Sequence, residues 1–283
     1  MNEQRFKVGI VGLEPGRSWA ARAHVPALQS LAASYEIVGV ANTSLASAEK
    51  ARAAAGLPRA FTNVAELVSA PEVDIVSVTV KVPHHLEIVR AALSAGKHVY
   101  CEWPLGNGLA EAEELAVLAT SKKVLGGVVG TQACVAPEIQ HLKQLIADGF
   151  VGEVLSTTLI VRGGGWGGLI PEKKNNAYLL DRANGATMLT IPVGHTLAAI
   201  RDVLGEVAEV SSVLATRRAT ALVVDTGETL PVSAPDQVLI SGVLASGAPA
   251  CIHYRGGMPR DSAGRSTERR ETSGYRGPSV TRS

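Results

Sequence analysis

Short apolar runs alternate with stretches of helical period over residues 1–131. The runs Lys7–Val11, Glu36–Ala41, Ile75–Val80, His98–Cys101 and Leu125–Gly130 predict the buried strands of a parallel sheet. Between them, Asn63-Val64-Ala65-Glu66 has the form of a capping box at a helix start. Leu86–Ala95 carries apolar residues at helical spacing and stops at Gly96, a natural C-cap. Right-handed crossovers between such strands build a doubly wound α/β sheet.

The pattern changes after Pro137. Glu138–Asp148 and the largely apolar Thr187–Leu204 predict helices, and Val154–Arg162, Val207–Ala215, Gln237–Ala245 and Ala250–Tyr254 predict strands, the last three of antiparallel type. Helices followed by strands make an α+β second domain over residues 132–257, with an open, mostly antiparallel sheet. Residues 258–283 hold many Arg, Ser, Thr and Glu and almost no large apolar side chain. That composition predicts a disordered or aberrant tail.

The chain has 283 residues with 46% hydrophobic content, enough for two compact cores. A net charge of +1 supplies no field for nucleic acid or an anionic membrane. No apolar run reaches the ~20 residues that span a bilayer. The polar start leads straight into the first strand, so the expected location is cytoplasmic. Cys101, Cys134 and Cys251 are too scattered for a disulfide framework or a metal site and read as reduced thiols.

Candidate chemistry begins after the first strand. Gly12-Leu13-Glu14-Pro15-Gly16-Arg17-Ser18-Trp19 leads into a helix, the setting of a phosphate cradle at a helix N-terminus. Gly12 suits a tight turn and Gly16 a close backbone approach, while Glu14 stands near the usual second glycine. The second strand ends in Asn42, Thr43 and Ser44 with no acidic residue to meet a ribose 2′-hydroxyl. These three side chains, with Arg17 in reach, point to NADP with NAD tolerated; the same three could equally cap the next helix.

The segment Val73–Leu105 runs strand, turn, helix, Ala-Gly-Lys-His-Val, strand and then Cys101-Glu102-Trp103-Pro104. This order resembles the glucose–fructose oxidoreductase / inositol dehydrogenase / rhizopine-catabolism family, Gfo/Idh/MocA. The resemblance implies an N-terminal Rossmann domain and a C-terminal domain whose sheet is incomplete here, because the family continues with further strands. It also implies that Val80, His85, Glu102, Trp103 and Gln132 border the coenzyme. In the family a lysine stands at position 103 and assists hydride transfer; an indole only donates a hydrogen bond. His195 matches the family's catalytic histidine, but the aspartate one turn earlier is missing, with Thr190 and Ile191 in that region, and Ala198 replaces a further acid. The motif loops, including all three tryptophans (Trp19, Trp103 and Trp166), look like a narrower branch, the one with the yeast galactose-regulon co-repressor, which binds NAD(P) without turnover.

Two functions remain open on these residues. One is an NAD(P)-dependent oxidoreductase for a sugar- or cyclitol-like alcohol, with His195 as acid/base, Glu102 as orienting group, and Trp166, Thr190 and His195 around the substrate. The other is a non-catalytic NAD(P) sensor that passes its state to a protein partner. Homodimer formation through the second sheet is the family's habit.

Overall fold

The computed structural model describes residues 5–122 and 126–257. The tail expected to be disordered, residues 258–283, lies outside the described residues, as does the start of the run Leu125–Gly130.

The N-terminal domain is a six-stranded parallel sheet. Its strands are β1 (Phe6–Val11), β2 (Tyr35–Ala41), β3 (Ala60–Phe61), β4 (Ile75–Val78), β5 (His98–Glu102) and β6 (Gly127–Gly130), in spatial order β3-β2-β1-β4-β5-β6. The chain winds outward one way from β1 to β3 and the other way from β4 to β6, so the order reverses between β1 and β4. Ligands of such sheets bind at that switch point, outside the carboxyl ends of the strands. Five helices connect the strands: α1 (Val25–Ser30), α2 (Leu45–Ala55), α3 (Val64–Ser69), α4 (His85–Ser94) and α5 (Leu109–Ser121).

Both faces of this sheet are covered. Val8, Ile10, Leu13, Val25 and Ala51 form one buried cluster, and Phe61, Leu67, Val76, Ile88 and Leu115 belong to another. Burial on both faces is why these strands read as unbroken apolar runs instead of alternating ones. Asn63 caps α3 by accepting from Glu66 N at 2.9 Å. The other half of the expected box is displaced by one residue, since Glu66 accepts from Thr62 N.

The C-terminal domain adds α6 (Pro137–Ala147), β7 (Thr157–Arg162), β8 (Leu169–Ile170), α7 (Lys173–Asn176), α8 (Gly194–Leu204), β9 (Val207–Ala215), β10 (Thr220–Val223), β11 (Thr229–Pro231), β12 (Gln237–Leu244) and β13 (Pro249–Arg255). Its larger sheet runs β7-β13-β12-β9. The β12 pairs are antiparallel, while β7 joins β13 in parallel. Val238, Ile240, Ile252 and Tyr254 pack under Met188, Val193 and Ile200. A small sheet, β11-β10-β8, has no counterpart in the sequence pattern. The single helix expected over Thr187–Leu204 is divided at Pro192, where a wide turn, Leu189–Val193, precedes α8. Proline has no N–H to donate and its ring crowds the preceding turn.

Candidate functional site

The carboxyl ends of β1, β2, β4, β5 and β6 converge with the N-terminal end of α8. Gly12 has φ +98°, and a Cβ there would lie 2.6 Å from Val80 Cγ1 and 2.7 Å from the Thr79 carbonyl. The turn after β1, where it passes the end of β4, therefore admits only glycine. Thr79 Oγ1 donates to the carbonyls of Val11 and Gly12 at 2.9 Å. Ser18 closes the loop by accepting from Glu14 N at 3.0 Å and Ala21 N at 3.2 Å. Gly16, at φ +72°, faces open space.

The Asn42 amide is engaged with this loop. It accepts from Leu13 N and donates to Leu13 O, both at 2.9 Å, and also donates to Ser47 O. Ser44 caps α2, exchanging hydrogen bonds with Ser47, and Thr43 is exposed beside it. Arg17 reaches across to Glu172 at 2.6 Å, an exposed ion pair that joins the loop to the segment before α7. Of the candidates at the end of β2, Asn42 thus shapes the loop and Ser44 shapes the helix.

His85 is buried and stitches two turns together: Nε2 lies 2.9 Å from the Val80 carbonyl and Nδ1 lies 2.7 Å from the Pro104 carbonyl. Cys101 packs beside it, 3.5 Å away. Burial and the neighbouring Glu102 charge push the Cys101 thiol up to about 12, so it stays protonated and unreactive at neutral pH. Among the described residues no group of three potential ligands could hold a metal ion.

Glu102, Trp103, Gln132, Thr190 and His195 form the centre. The Trp103 indole crosses between domains and donates to the Thr190 carbonyl at 2.5 Å. Thr190 is itself fixed, its hydroxyl donating to Gly185 O at 2.5 Å and accepting from Thr187 N at 2.8 Å. Gly194 makes room for the indole: a Cβ there would lie 2.5 Å from Trp103 Nε1. The His195 ring centroid lies 6.5 Å from that of Trp103.

Gln132 links the two walls. With its amide oriented to satisfy its neighbours, it accepts from Trp19 Nε1 at 3.1 Å and donates to His195 Nε2 at 3.1 Å and Gly130 O at 3.0 Å. The His195 lone pair is therefore at Nε2 and its proton at Nδ1. Burial holds the imidazole below its ordinary pKa, so it is neutral at pH 7. Trp166 stands apart from this group. Its indole donates to Ala186 O at 3.3 Å and its carbonyl accepts from Gly257 N at 2.9 Å, which makes it an anchor of the C-terminal core.

His24, Tyr100, Lys81 and Tyr178 adjoin this group, and the sequence offered none of them as a site residue. His24 approaches Glu102 to 3.4 Å. Tyr100 meets His24 edge-on. Lys81 sits 4.6 Å over the Tyr178 ring, and Tyr178, raised above its ordinary pKa by burial, also feels the Glu102 charge. The apolar setting of His24 in the first crossover was the one local signal.

A nicotinamide dinucleotide fits these residues. The loop around Gly12 is a cradle that a Cβ would fill, and Glu102 Oε1 is a buried oxygen without a hydrogen-bond partner.

Comparison with known proteins agrees with this geometry. Residues 6–130 match the oxidoreductase family with an NAD-binding Rossmann fold (GFO_IDH_MocA), and residues 137–267 match the Gal80p C-terminal domain. The galactose/lactose metabolism regulatory protein GAL80 of Kluyveromyces lactis is 29% identical over 269 residues, 90% of this chain and 59% of that protein. The dehydrogenase aclE of Aspergillus oryzae is 37% identical over 208 residues, 72% of this chain and 56% of that one. The crystal structure of the Kluyveromyces lactis transcriptional regulator Gal80p superposes with a TM-score of 0.85 at 27% identity, covering 91% of this chain and 65% of that one. The chain thus spans less than two thirds of these relatives. Among the described residues no helix is long and apolar enough to cross a membrane.

Proposed function

The chain belongs to the Gfo/Idh/MocA oxidoreductase family and carries a C-terminal domain of the Gal80p type, and from that premise we propose that it binds NAD(P) as a regulator and does not turn it over. The observation that carries this reading is Trp103, tied to Thr190 O at the place where the family's catalytic lysine would stand. An indole N–H bound to a carbonyl moves no proton to or from an alcohol. His195, the other expected acid/base, has its Nε2 lone pair engaged by Gln132. The group at position 103 ties the two domains together through Thr190 O instead of serving the chemistry.

The Gly12–Trp19 loop and the helix after it would hold the pyrophosphate, with Glu102 and His195 beside the nicotinamide. A bound nicotinamide supplies a hydride carrier, and the residues here give it no proton-transfer partner at position 103. Asn42 and Ser44 leave the ribose edge without a carboxylate, in keeping with NADP as well as NAD. The cleft beside Trp103 and Thr190 suits a sugar-like ligand, and a protein partner or a second copy would receive the signal in the cytoplasm.

The second reading, a dehydrogenase of a sugar-like alcohol, is favoured by the 37% identity to the Aspergillus dehydrogenase. In that case Gln132 releases His195 to act as the acid/base.

Titration of the tryptophan emission with NADH and NADPH separates binding from its absence. A panel of polyols and sugars, followed by nicotinamide absorbance, separates regulator from enzyme. The expected outcome is binding without turnover. Turnover that disappears in His195→Ala would overturn the regulator reading, and activity gained in Trp103→Lys would support it.

A further inference from the structure

Glu102 ends β5 with Oε1 buried and lacking a hydrogen-bond partner. His24 Nε2 lies 3.4 Å from that oxygen, within ion-pair distance though outside hydrogen-bond geometry. The His24 side chain is 10% exposed and that of Glu102 is 22% exposed. On the far side of the ring, Nδ1 lies 3.1 Å from Ser77 Oγ. Ser77 projects from β4 and is sealed in the sheet at 2% exposure. The Tyr100 ring packs edge-on at 5.1 Å and holds the imidazole plane.

These contacts select one tautomer. A neutral imidazole carries one N–H and one lone pair. With the proton on Nδ1, the Nε2 lone pair would face a carboxylate oxygen in a site of low dielectric, a repulsive arrangement. With the proton on Nε2, the ring accepts from the Ser77 hydroxyl and turns its N–H edge toward the Glu102 carboxylate 3.4 Å away, an attraction in place of the repulsion. The order serine, histidine, acid is that of a hydrolytic triad, but here the hydroxyl lies inside the sheet where no substrate can reach it. The solvent-facing end is the carboxylate, so the chain supports Glu102.

We propose that Ser77 and His24 are positioning residues for Glu102: Ser77 fixes the His24 tautomer, and His24 Nε2–H sets the carboxylate at the nicotinamide end of the cleft. The role at the nicotinamide rests on the coenzyme reading above; the Ser77–His24–Glu102 arrangement does not.

Two measurements on the full chain test this. Long-range ¹H–¹⁵N spectra of the histidine rings, with His24 assigned through His24→Gln, should show the Nε2–H tautomer in the wild type and a tautomer mixture in Ser77→Ala. NADH affinity should fall about tenfold in His24→Phe, the low end of what a polar N–H facing a charge contributes. It should stay within about threefold in His24→Gln, whose amide N–H replaces the donor. In a Glu102→Gln background, His24→Phe should cost nothing further. A wild-type Nδ1–H tautomer, equal losses in the Phe and Gln variants, or an undiminished loss in the Glu102→Gln background would each overturn the proposal. An Nε2–H tautomer in a protein that fails to bind NADH supports the chain and overturns the coenzyme reading instead.

Discussion

β1 and β9 serve the same structural purpose under opposite conditions. The last four residues of β1, Gly9–Val11 with Val8, are buried, while eight of the nine residues of β9 are exposed. Val213 and Leu214 are adjacent in β9 and so point to opposite faces, yet they are 61% and 47% exposed. The first sheet has helices on both faces. The second is covered on one face by α8 and its neighbours and leaves β9 as an edge. The geometry of the coenzyme loop is thus built on the most enclosed part of the molecule, whereas the open sheet contributes little to holding it.

The sharpest way to break this contrast is to shorten one side chain in each region. Leu67 is fully buried against Val11, Phe61 and Val68. Leu67→Ala should cost about 2–5 kcal/mol, the range for core cavities of this type. Val213→Ala should change stability by less than about 0.5 kcal/mol. Denaturant midpoints at constant m-value check both. Comparable losses would mean that β9 is covered in solution.

The same contrast explains what the sequence disclosed. Five of the six N-terminal strands were legible, the central ones because burial on both faces leaves unbroken apolar runs; the two-residue β3 is too short to show a pattern. β8, β10 and β11 were not legible either: Thr220–Val223 is four residues long and follows Arg217 and Arg218, whose backbone N–H groups turn onto the buried Asp236 carboxylate. Gly12, Glu102, Trp103, Gln132 and His195 were legible as candidates because each lies in a motif segment or at the start of a helix. The companions His24 and Ser77 were not, since a contact between β4 and the first crossover leaves no local period to read. Asn42 lies against the loop and Ser44 caps α2, and a one-dimensional pattern does not tell a phosphate ligand from a capping side chain. Only the fold shows that the helix divides at Pro192 and that Gly194, just after it, admits the Trp103 indole.

Gly194 offers an intermediate test, placed between the two regions. Its missing side chain lets Trp103 of one domain lie against α8 of the other. A Cβ would lie 2.5 Å from Trp103 Nε1 and 2.9 Å from Cε2, so the indole must move and its bond to Thr190 must weaken. Gly194→Ala should cost about 1–3 kcal/mol by overpacking, less whatever alanine returns in helix propensity. Trp103 emission should shift to the red as the ring gains solvent. In Trp103→Phe the added methyl group should cost less, and equal costs in the two backgrounds would remove Trp103 from the account.

The smallest expected effect concerns His195, and its sign follows from burial. Desolvation lowers the folded-state pKa below the unfolded value. Between those two values the unfolded chain binds more protons than the folded one, so stability rises with pH through that window and is complete above the unfolded pKa of about 6.5. Acidification from pH 7.5 to pH 5.5 should therefore destabilise the protein through His195 in addition to its carboxylates. His195 is only half-buried, so water screens much of the effect. His195→Gln keeps a polar partner for Gln132 but cannot titrate, and its melting temperature should fall less over the same interval. A parallel fall in the two proteins would show that His195 takes up its proton in the folded state as readily as in the unfolded one, and the imidazole would then be as open to water as β9.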